Sequence, residues 1–144
     1  MKYIFLSSII LFFAISGCNV RNKDRKNIAT NIKEDSLRKT TVLIIDSSYD
    51  FGNVAEGEIV EYSYRFKNAG DYPLVVSNVA ASCGCTVPEK PEEPVQPGET
   101  GYIKVKFNSD KRQGEVHKTV TVMSNANPEF PLLILKGHVT PKTN

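Results

Sequence analysis

From residue 41 onward, apolar side chains alternate with polar ones in short runs, and this alternation is the feature that most restricts the fold. No window shows a period of 3.6 residues over a length sufficient for a helix. The clearest run covers residues 59–67, with Val60, Tyr62, Tyr64 and Phe66 on one face and Glu61, Ser63, Arg65 and Lys67 on the other. A period of two is typical of a strand with one buried and one wet face. The sequence therefore predicts an all-β domain.

Turn residues divide the remainder of this region into further strands. Residues 41–45 form a strand that continues through 48–51 to a turn at Gly52, and Pro73 opens a strand over residues 74–80. Pro97 and Gly98 occupy the central positions of a type II turn. The strands after this turn carry Ile103, Val105 and Phe107, then Val116, Lys118, Val120 and Val122 on one face, and lastly residues 130–139. About seven short strands in ~100 residues predict a β-sandwich of immunoglobulin-like (Ig-like) type.

Length and composition indicate one domain and exclude several classes of function. The chain has 144 residues, 40% of them hydrophobic and 24% charged, which suffices for one core. A net charge of +2 is too small for a nucleic-acid-binding protein. The glycines lack the spacing of a phosphate-binding loop, and no ordered Ser, His and Asp set can be inferred. We therefore expect no cofactor, no small-molecule substrate and, thiol chemistry apart, no enzyme activity.

The first apolar run is predicted to be a targeting signal rather than part of the fold. Residues 4–15 are apolar except for Ser7 and Ser8, and this run is too short to span a membrane of ~30 Å. Residues 15–18, Ile-Ser-Gly-Cys, resemble the bacterial lipobox. By that resemblance residues 1–17 are a lipoprotein signal peptide, and Cys18 is lipidated and anchors an exported protein to a bacterial membrane in the cell envelope. The alternative is an ordinary signal peptide with a chance cysteine.

Residues 18–40 are predicted to be a flexible basic tether between this anchor and the folded domain, residues 41–144. The stretch 19–40 contains seven basic and three acidic residues and lacks apolar periodicity. Its positive charge would attract it to anionic headgroups. A solvated linker whose charge has no role is the alternative.

Five segments of the folded region resemble the bacterial domain of unknown function 1573. They are DFGNV at residues 50–54, FKNAG at 66–70, SCGCT at 82–86, VQPGE at 95–99 and TVMSN at 121–125. The resemblance covers about residues 48–139. It implies an exported or lipid-anchored Ig-like domain, similar to those of cilium-associated and major sperm proteins. The family has no agreed activity, so the resemblance assigns no catalytic residue.

The Cys-Gly-Cys at Cys83 and Cys85 is the one motif whose side chains could carry out chemistry. A bridge that closes a three-residue loop would be strained, easily reduced and worth only ~1.6 kcal/mol. Three interpretations stay open: a redox-active dithiol, two ligands of a soft-metal site, and thiols that pack at a strand end. A metal site would need further ligands, and His117 and His138 are the only imidazoles. His117 is predicted to lie on the polar face of its strand.

Two functional hypotheses follow. The first is a non-enzymatic Ig-like binding or scaffold module, lipid-anchored in the envelope, that presents a sheet edge or end loops to a protein or glycan partner. The alternative is an envelope thiol-redox or metal-handling protein that acts through Cys83 and Cys85. The acidic, proline-rich residues 88–97 are interpreted as a solvated connection, with a binding rim as the alternative.

Overall fold

The structure, a computed structural model, describes residues 38–142. In this part of the chain the alternation of apolar and polar residues gives eight strands. The strands are β1 (Val42–Ile44), β2 (Ser48–Ala55), β3 (Ile59–Asn68), β4 (Val76–Ala81), β5 (Thr86–Glu89), β6 (Thr100–Asn108), β7 (Gly114–Ser124) and β8 (Leu133–Thr140). Residues 38–142 contain no helix that is long and apolar enough to cross a membrane. The predicted signal peptide, Cys18 and most of the predicted tether lie outside the described residues.

The strands form two four-stranded sheets. The first sheet has the order β1-β3-β6-β5, and the second has the order β2-β8-β7-β4. Neighbouring strands are antiparallel, apart from the parallel pair of β2 and β8. This architecture confirms the predicted all-β, Ig-like sandwich.

The inner faces of the two sheets make the core, and the predicted faces of the central strands are confirmed. Tyr64 and Phe66 of β3 are buried, and Tyr62 on the same face packs against the core. The buried residues on the other central strands are Ile103, Val105 and Phe107 of β6, Val116, Val120 and Val122 of β7, and Leu133, Leu135 and Val139 of β8. Each large apolar side chain buried in this way stabilises the fold by ~1.5–3 kcal/mol.

Two predicted strand boundaries at the ends of the domain were wrong. Residues 41–51 are two strands in different sheets, because the chain crosses between the sheets at Asp46 and Ser47. β1 pairs with β3, whereas β2 pairs with β8. The last strand begins at Leu133 rather than residue 130, and Pro131, which has no amide hydrogen, precedes it.

The sequence prediction missed β5, which pairs with β6 from Thr86 to Glu89. The sequence pattern places Pro88 and Glu89 in a solvated connection, and this interpretation is wrong for these two residues. A proline is compatible with a strand at the edge of a sheet, where its missing amide faces away from the neighbour. The remainder of that acidic segment, residues 90–97, is a connection apart from an isolated bridge between Val95 and Leu74.

The predicted turn before β6 is confirmed. The amide of Glu99 donates to the carbonyl of Gln96 at 3.0 Å, and Gly98 has a φ of 82°. A positive φ at the third position is the requirement of a type II turn that glycine meets without strain.

The packed body includes Thr40, one residue before the predicted domain start. Thr40 is buried and forms an isolated bridge with Ala126. Its amide donates to Asn125 O at 3.2 Å, and its carbonyl accepts from the Asn127 amide at 2.8 Å.

Candidate functional site

Cys83 and Cys85 lie where the chain crosses from the second sheet to the first, between β4 and β5, and a disulfide joins them. On one side, the Ser82 amide donates to Thr119 O of β7 at 2.9 Å. On the other side, the Asn108 amide at the end of β6 donates to Cys85 O at 3.0 Å. The disulfide loop therefore lies between strands of opposite sheets, at one end of the sandwich.

The two sulfurs are half-buried and face the same hydroxyl. Thr86 Oγ1 lies 3.6 Å from Cys83 Sγ and 3.9 Å from Cys85 Sγ, and Thr86 itself is buried. Cys85 also packs against the hydrophobic core. The pair is thus built into the packing at this end of the domain. The three interpretations of its chemistry stay predictions.

The two histidines do not join the cysteines in a metal site. Within residues 38–142, no group of three or more His, Cys, Asp or Glu side chains is placed to hold a metal ion. His138 instead contacts Glu115, with 2.9 Å between Nδ1 and Oε1. His117 lies on the exposed face of β7, as predicted, and the register places it opposite Lys136.

The ionisable groups with shifted pKa values serve the fold. Burial raises the pKa of Tyr64 far above its usual value near 10, and its hydroxyl donates to Ile134 O at 2.6 Å. A hydrogen bond from Arg65 lowers the pKa of Asp46, with 2.6 Å between Nε and Oδ2. Both contacts link segments that are distant in the chain.

The sheet edges differ in how well they are protected against pairing with another strand. β1 has three residues, and β5 has four, including Pro88. β2 carries Asp50 and a bulge at Gly52. Short length, proline, charge and bulges all discourage strand addition. β4 also has an irregularity, between Val76 and Asn78, but its six residues include neither a charged residue nor a proline, and its last four pair regularly with β7.

The backbone of β4 offers hydrogen-bonding groups to solvent at regular intervals. After an irregularity near Ser77, β4 pairs residue by residue with β7, and the Ser82 amide continues this ladder to Thr119 O. Alternate residues of an antiparallel edge strand point their amide and carbonyl away from the neighbour. Ser82 is hydrogen-bonded to Thr119 of β7, so the residues whose amide and carbonyl point away from β7 are Ala81 and, two positions earlier, Val79. Neither residue takes part in the backbone hydrogen bonds that the described residues form outside the strand ladders.

The acidic connection lies beside the start of this edge. Residues 90–94 line a cavity of about 40 Å³ together with Val75 and Val76, the residues at the beginning of β4. Glu92 and Glu93 outnumber Lys90 in this segment, so the start of the edge has a weakly negative border. The sequence predicts the strand and the acidic segment, but it does not predict that they are neighbours.

The structure therefore distributes the candidate residues over three places. Cys83 and Cys85 lie at the crossover, the histidines lie on the outside of the second sheet, and the β4 edge runs along one side. The signal for an open edge was present in the sequence, since residues 76–81 carry no charge. Edge position itself depends on long-range pairing, which the sequence alone does not give.

Comparisons with known proteins agree with the fold. The family described as Protein of unknown function (DUF1573) matches residues 42–139. No curated protein matches the chain.

Among solved structures, a protein of unknown function from Porphyromonas gingivalis W83 is similar, with a TM-score of 0.58 and 15% sequence identity. The similarity covers 73% of this chain and 48% of that protein, so the chain spans about half the length of that structure. PapD-like domain 7 of human CEP192 is similar with a TM-score of 0.54 and 13% identity, over 72% of this chain and 88% of the domain. Similarities at this level of identity support the fold and do not assign a thiol-redox or metal-handling activity.

Proposed function

The chain belongs to the family described as Protein of unknown function (DUF1573), and from that premise we propose that it is a non-enzymatic Ig-like binding module. The module is held in the cell envelope by lipid on Cys18. It binds an extended segment of a protein partner along the edge of β4. The observation that carries this proposal is the open β4 edge, which has six residues without charge or proline.

Strand addition suits this edge because its free groups are spaced for it. Val79 and Ala81 offer amide and carbonyl groups two residues apart, the spacing at which an added strand forms its hydrogen bonds. Main-chain hydrogen bonds of this kind give affinity, and neighbouring side chains give specificity. Glu92 and Glu93 outnumber Lys90 beside the start of the edge, and this small excess of negative charge favours a partner segment with basic residues.

The lipid anchor is tested by Cys18→Ser. If Cys18 is the acylated residue, the variant is not labelled by radioactive palmitate and is released from membranes or remains an uncleaved precursor. Two or more acyl chains at ~0.8 kcal/mol per buried methylene give stable anchoring, so the effect on membrane retention is large. Equal palmitate labelling of the wild type and the variant contradicts the anchor.

Binding at the edge is tested by Ala81→Pro in the full-length chain. The Ala81 amide points away from β7, so proline removes a group offered to a partner without breaking the pairing with β7. A photo-crosslinking side chain at the exposed residue Asn78 reports on a bound segment in intact cells. We expect a partner adduct in the parent chain and a loss of at least about tenfold (~1.4 kcal/mol) in the proline variant.

Ala80→Ser is the matched control for that experiment. Ala80 precedes Ala81 on β4 and is exposed, as Asn78 is. Its change to serine keeps every backbone amide of the strand. The adduct should survive in this variant. An adduct that forms equally in Ala81→Pro shows that the partner does not add a strand to β4, and the proposed mode of binding is then wrong.

A further inference from the structure

The loop that carries Cys83 and Cys85 is held at both ends by hydrogen bonds that do not involve the disulfide. At its β4 end, the Ser82 amide donates to Thr119 O at 2.9 Å, and the Thr119 amide donates to Ser82 Oγ at 3.1 Å. At its β5 end, the Asn108 amide donates to Cys85 O at 3.0 Å. A bond that closes a loop of three residues removes little entropy from the unfolded chain, so it adds little to these contacts. We therefore expect the sandwich to stay folded, with its two thiols side by side, when the disulfide is reduced.

The tip of this loop is open to an approaching molecule. Gly84 is exposed, and apart from its chain neighbours no atom lies within 4 Å of the position that a Cβ would take there. Cys83 and Cys85 are half-buried rather than enclosed. Residues 78–88 include no charged residue, so nothing in this segment repels an anion. Thiol–disulfide exchange needs such access, because the incoming thiolate must reach one of the two sulfurs.

A buried hydroxyl faces the sulfurs and is poorly satisfied while they are bonded to each other. Thr86 Oγ1 lies 3.6 and 3.9 Å from the two sulfurs, and within residues 38–142 it has no other hydrogen-bond partner. The sulfurs of a disulfide carry no hydrogen, so the hydroxyl is the donor, and neutral sulfur is a weak acceptor. A thiolate is a stronger acceptor, because hydrogen bonds to an ionised group are roughly twice as strong as neutral ones. The Thr86 hydroxyl therefore stabilises the reduced pair more than it stabilises the disulfide.

The two cysteines differ in their surroundings. Cys85 packs against the hydrophobic core, and its carbonyl is bonded to the Asn108 amide. Cys83 is not among the described residues that pack against that core. An exchange partner therefore has better access to Cys83 Sγ, and Cys85 Sγ is then the sulfur that leaves.

We propose that the Cys83–Cys85 disulfide is a substrate site for a protein dithiol, which reduces it reversibly in the folded domain. A thiolate of the dithiol attacks Cys83 Sγ and forms a mixed disulfide. The Cys83–Cys85 bond breaks, and its electron pair stays on Cys85 Sγ beside the Thr86 hydroxyl. The second thiol of the dithiol then attacks its own partner sulfur in the mixed disulfide and releases Cys83. Two electrons and two protons pass to this chain, and the dithiol becomes a disulfide.

In this exchange the chain is the substrate and not the enzyme, so the proposal is compatible with a non-enzymatic module. It goes beyond the proposed function, which gives the two cysteines no role. It also does not depend on strand addition at β4, because the exchange takes place at the sulfurs and uses no backbone group of that edge.

The equilibrium is tested in glutathione redox buffers. Every form is the full-length chain with Cys18→Ser, so that Cys83 and Cys85 are its remaining cysteines. We expect the pair to be reduced without denaturant, and circular dichroism to stay strand-dominated. Thr86→Val replaces the hydroxyl with a methyl group and should shift the equilibrium at least about fivefold towards the disulfide, which lowers the reduction potential by about 20 mV.

Two variants are the controls for this shift. Thr86→Ser keeps the hydroxyl and should stay within about twofold of the parent chain. Thr40→Val removes another buried hydroxyl, which bonds to Asn68 far from the disulfide, and should leave the equilibrium unchanged. A general loosening of the fold would affect the Thr40 variant as well, whereas loss of the donor to sulfur affects the Thr86→Val variant alone.

The attacked sulfur is identified with a thioredoxin-type probe that retains only its attacking cysteine. This probe cannot complete the second step, so the mixed disulfide accumulates. After rapid alkylation, fragmentation of the adduct in a mass spectrometer should place the probe on Cys83 and the alkyl group on Cys85.

Three results would overturn the proposal. One is a disulfide that glutathione and the probe reduce only after urea has unfolded the domain. Another is an equilibrium in Thr86→Val equal to that of the parent chain, since the hydroxyl would then not favour the reduced pair. The third is a probe attached to Cys85.

Discussion

Asn68 is fully buried, and both ends of its side-chain amide are bonded within the protein. Nδ2 donates to Tyr72 O at 2.8 Å and to Val95 O at 2.9 Å. Oδ1 accepts from Thr40 Oγ1 at 3.0 Å and from the Gly70 amide at 3.1 Å. One side chain therefore ties the entry of the chain to the turn after β3 and to the connection before β6. The burial of Asn68 could not be predicted from the local sequence, because it depends on contacts with distant residues such as Thr40, 28 positions away.

Tyr64 makes the stability of the domain sensitive to alkaline pH. Because burial raises the pKa of Tyr64 in the folded state, only the unfolded state loses this proton just above pH ~10. The contribution to stability is complete below pH ~10 and falls as the pH rises beyond it, by at most ~1.4 kcal/mol per pH unit for one proton. Urea unfolding at pH 9 to 11 should show a steeper loss in the wild type than in Tyr64→Phe. Equal slopes would show that Tyr64 does not control this loss.

At the scale of elements, the sequence predicts central strands well and edge strands poorly. β3 and β6 alternate over nine or more residues because one face of each lies on the core and the other in water. β5 has four residues, one of them Pro88, and within residues 38–142 it pairs with β6 alone. So short a segment carries too little periodicity to be recognised. The division of residues 41–51 into β1 and β2 was missed because the alternation continues while the pairing partner changes.

The candidate sites follow the same division between local and long-range information. Cys83 and Cys85 are conspicuous in the sequence because two cysteines stand two positions apart. The sequence does not show that they lie between β7 and β6, since these strands contact the loop through Thr119 and Asn108. Among the described strands β4 has one neighbour, β7, and this open edge is likewise a result of long-range pairing.

At the scale of the whole molecule, the disulfide loop and the entry of the chain lie at opposite ends of the sandwich. Thr40 bonds to Asn68 at the end of β3, which adjoins the start of β6, whereas Cys85 bonds to Asn108 at the end of β6. β6 has nine residues, so these ends are separated by ~27 Å. A chain anchored ahead of residue 38 would therefore reach the disulfide loop only across the length of the domain, with the β4 edge running between the two ends.

The start of the independently stable unit follows from the contacts at the entry end, and we expect it at residue 38 rather than 41. Besides its backbone hydrogen bonds, Thr40 donates from its hydroxyl to Asn68 Oδ1, and the side-chain Nδ2 of Asn125 donates to Arg38 O at 2.7 Å. A fragment of residues 38–144 should show strand-dominated circular dichroism and one cooperative transition. Removal of residues 38–40 should lower the free energy of unfolding in urea by ~1–3 kcal/mol, because buried partners lose their hydrogen bonds.

Two substitutions in the longer fragment separate the roles of the hydroxyl and the backbone in this loss. Thr40→Ser keeps the hydroxyl that donates to Asn68 and should retain most of the stability. Thr40→Val keeps the backbone hydrogen bonds but leaves Asn68 Oδ1 with one donor fewer, so it should lose ~1 kcal/mol, less than the truncation. Identical unfolding free energies for the fragments that begin at residues 38 and 41 would contradict this boundary. They would also mean that the contacts of Thr40 with Asn68, Asn125 and Asn127 add nothing to the sandwich.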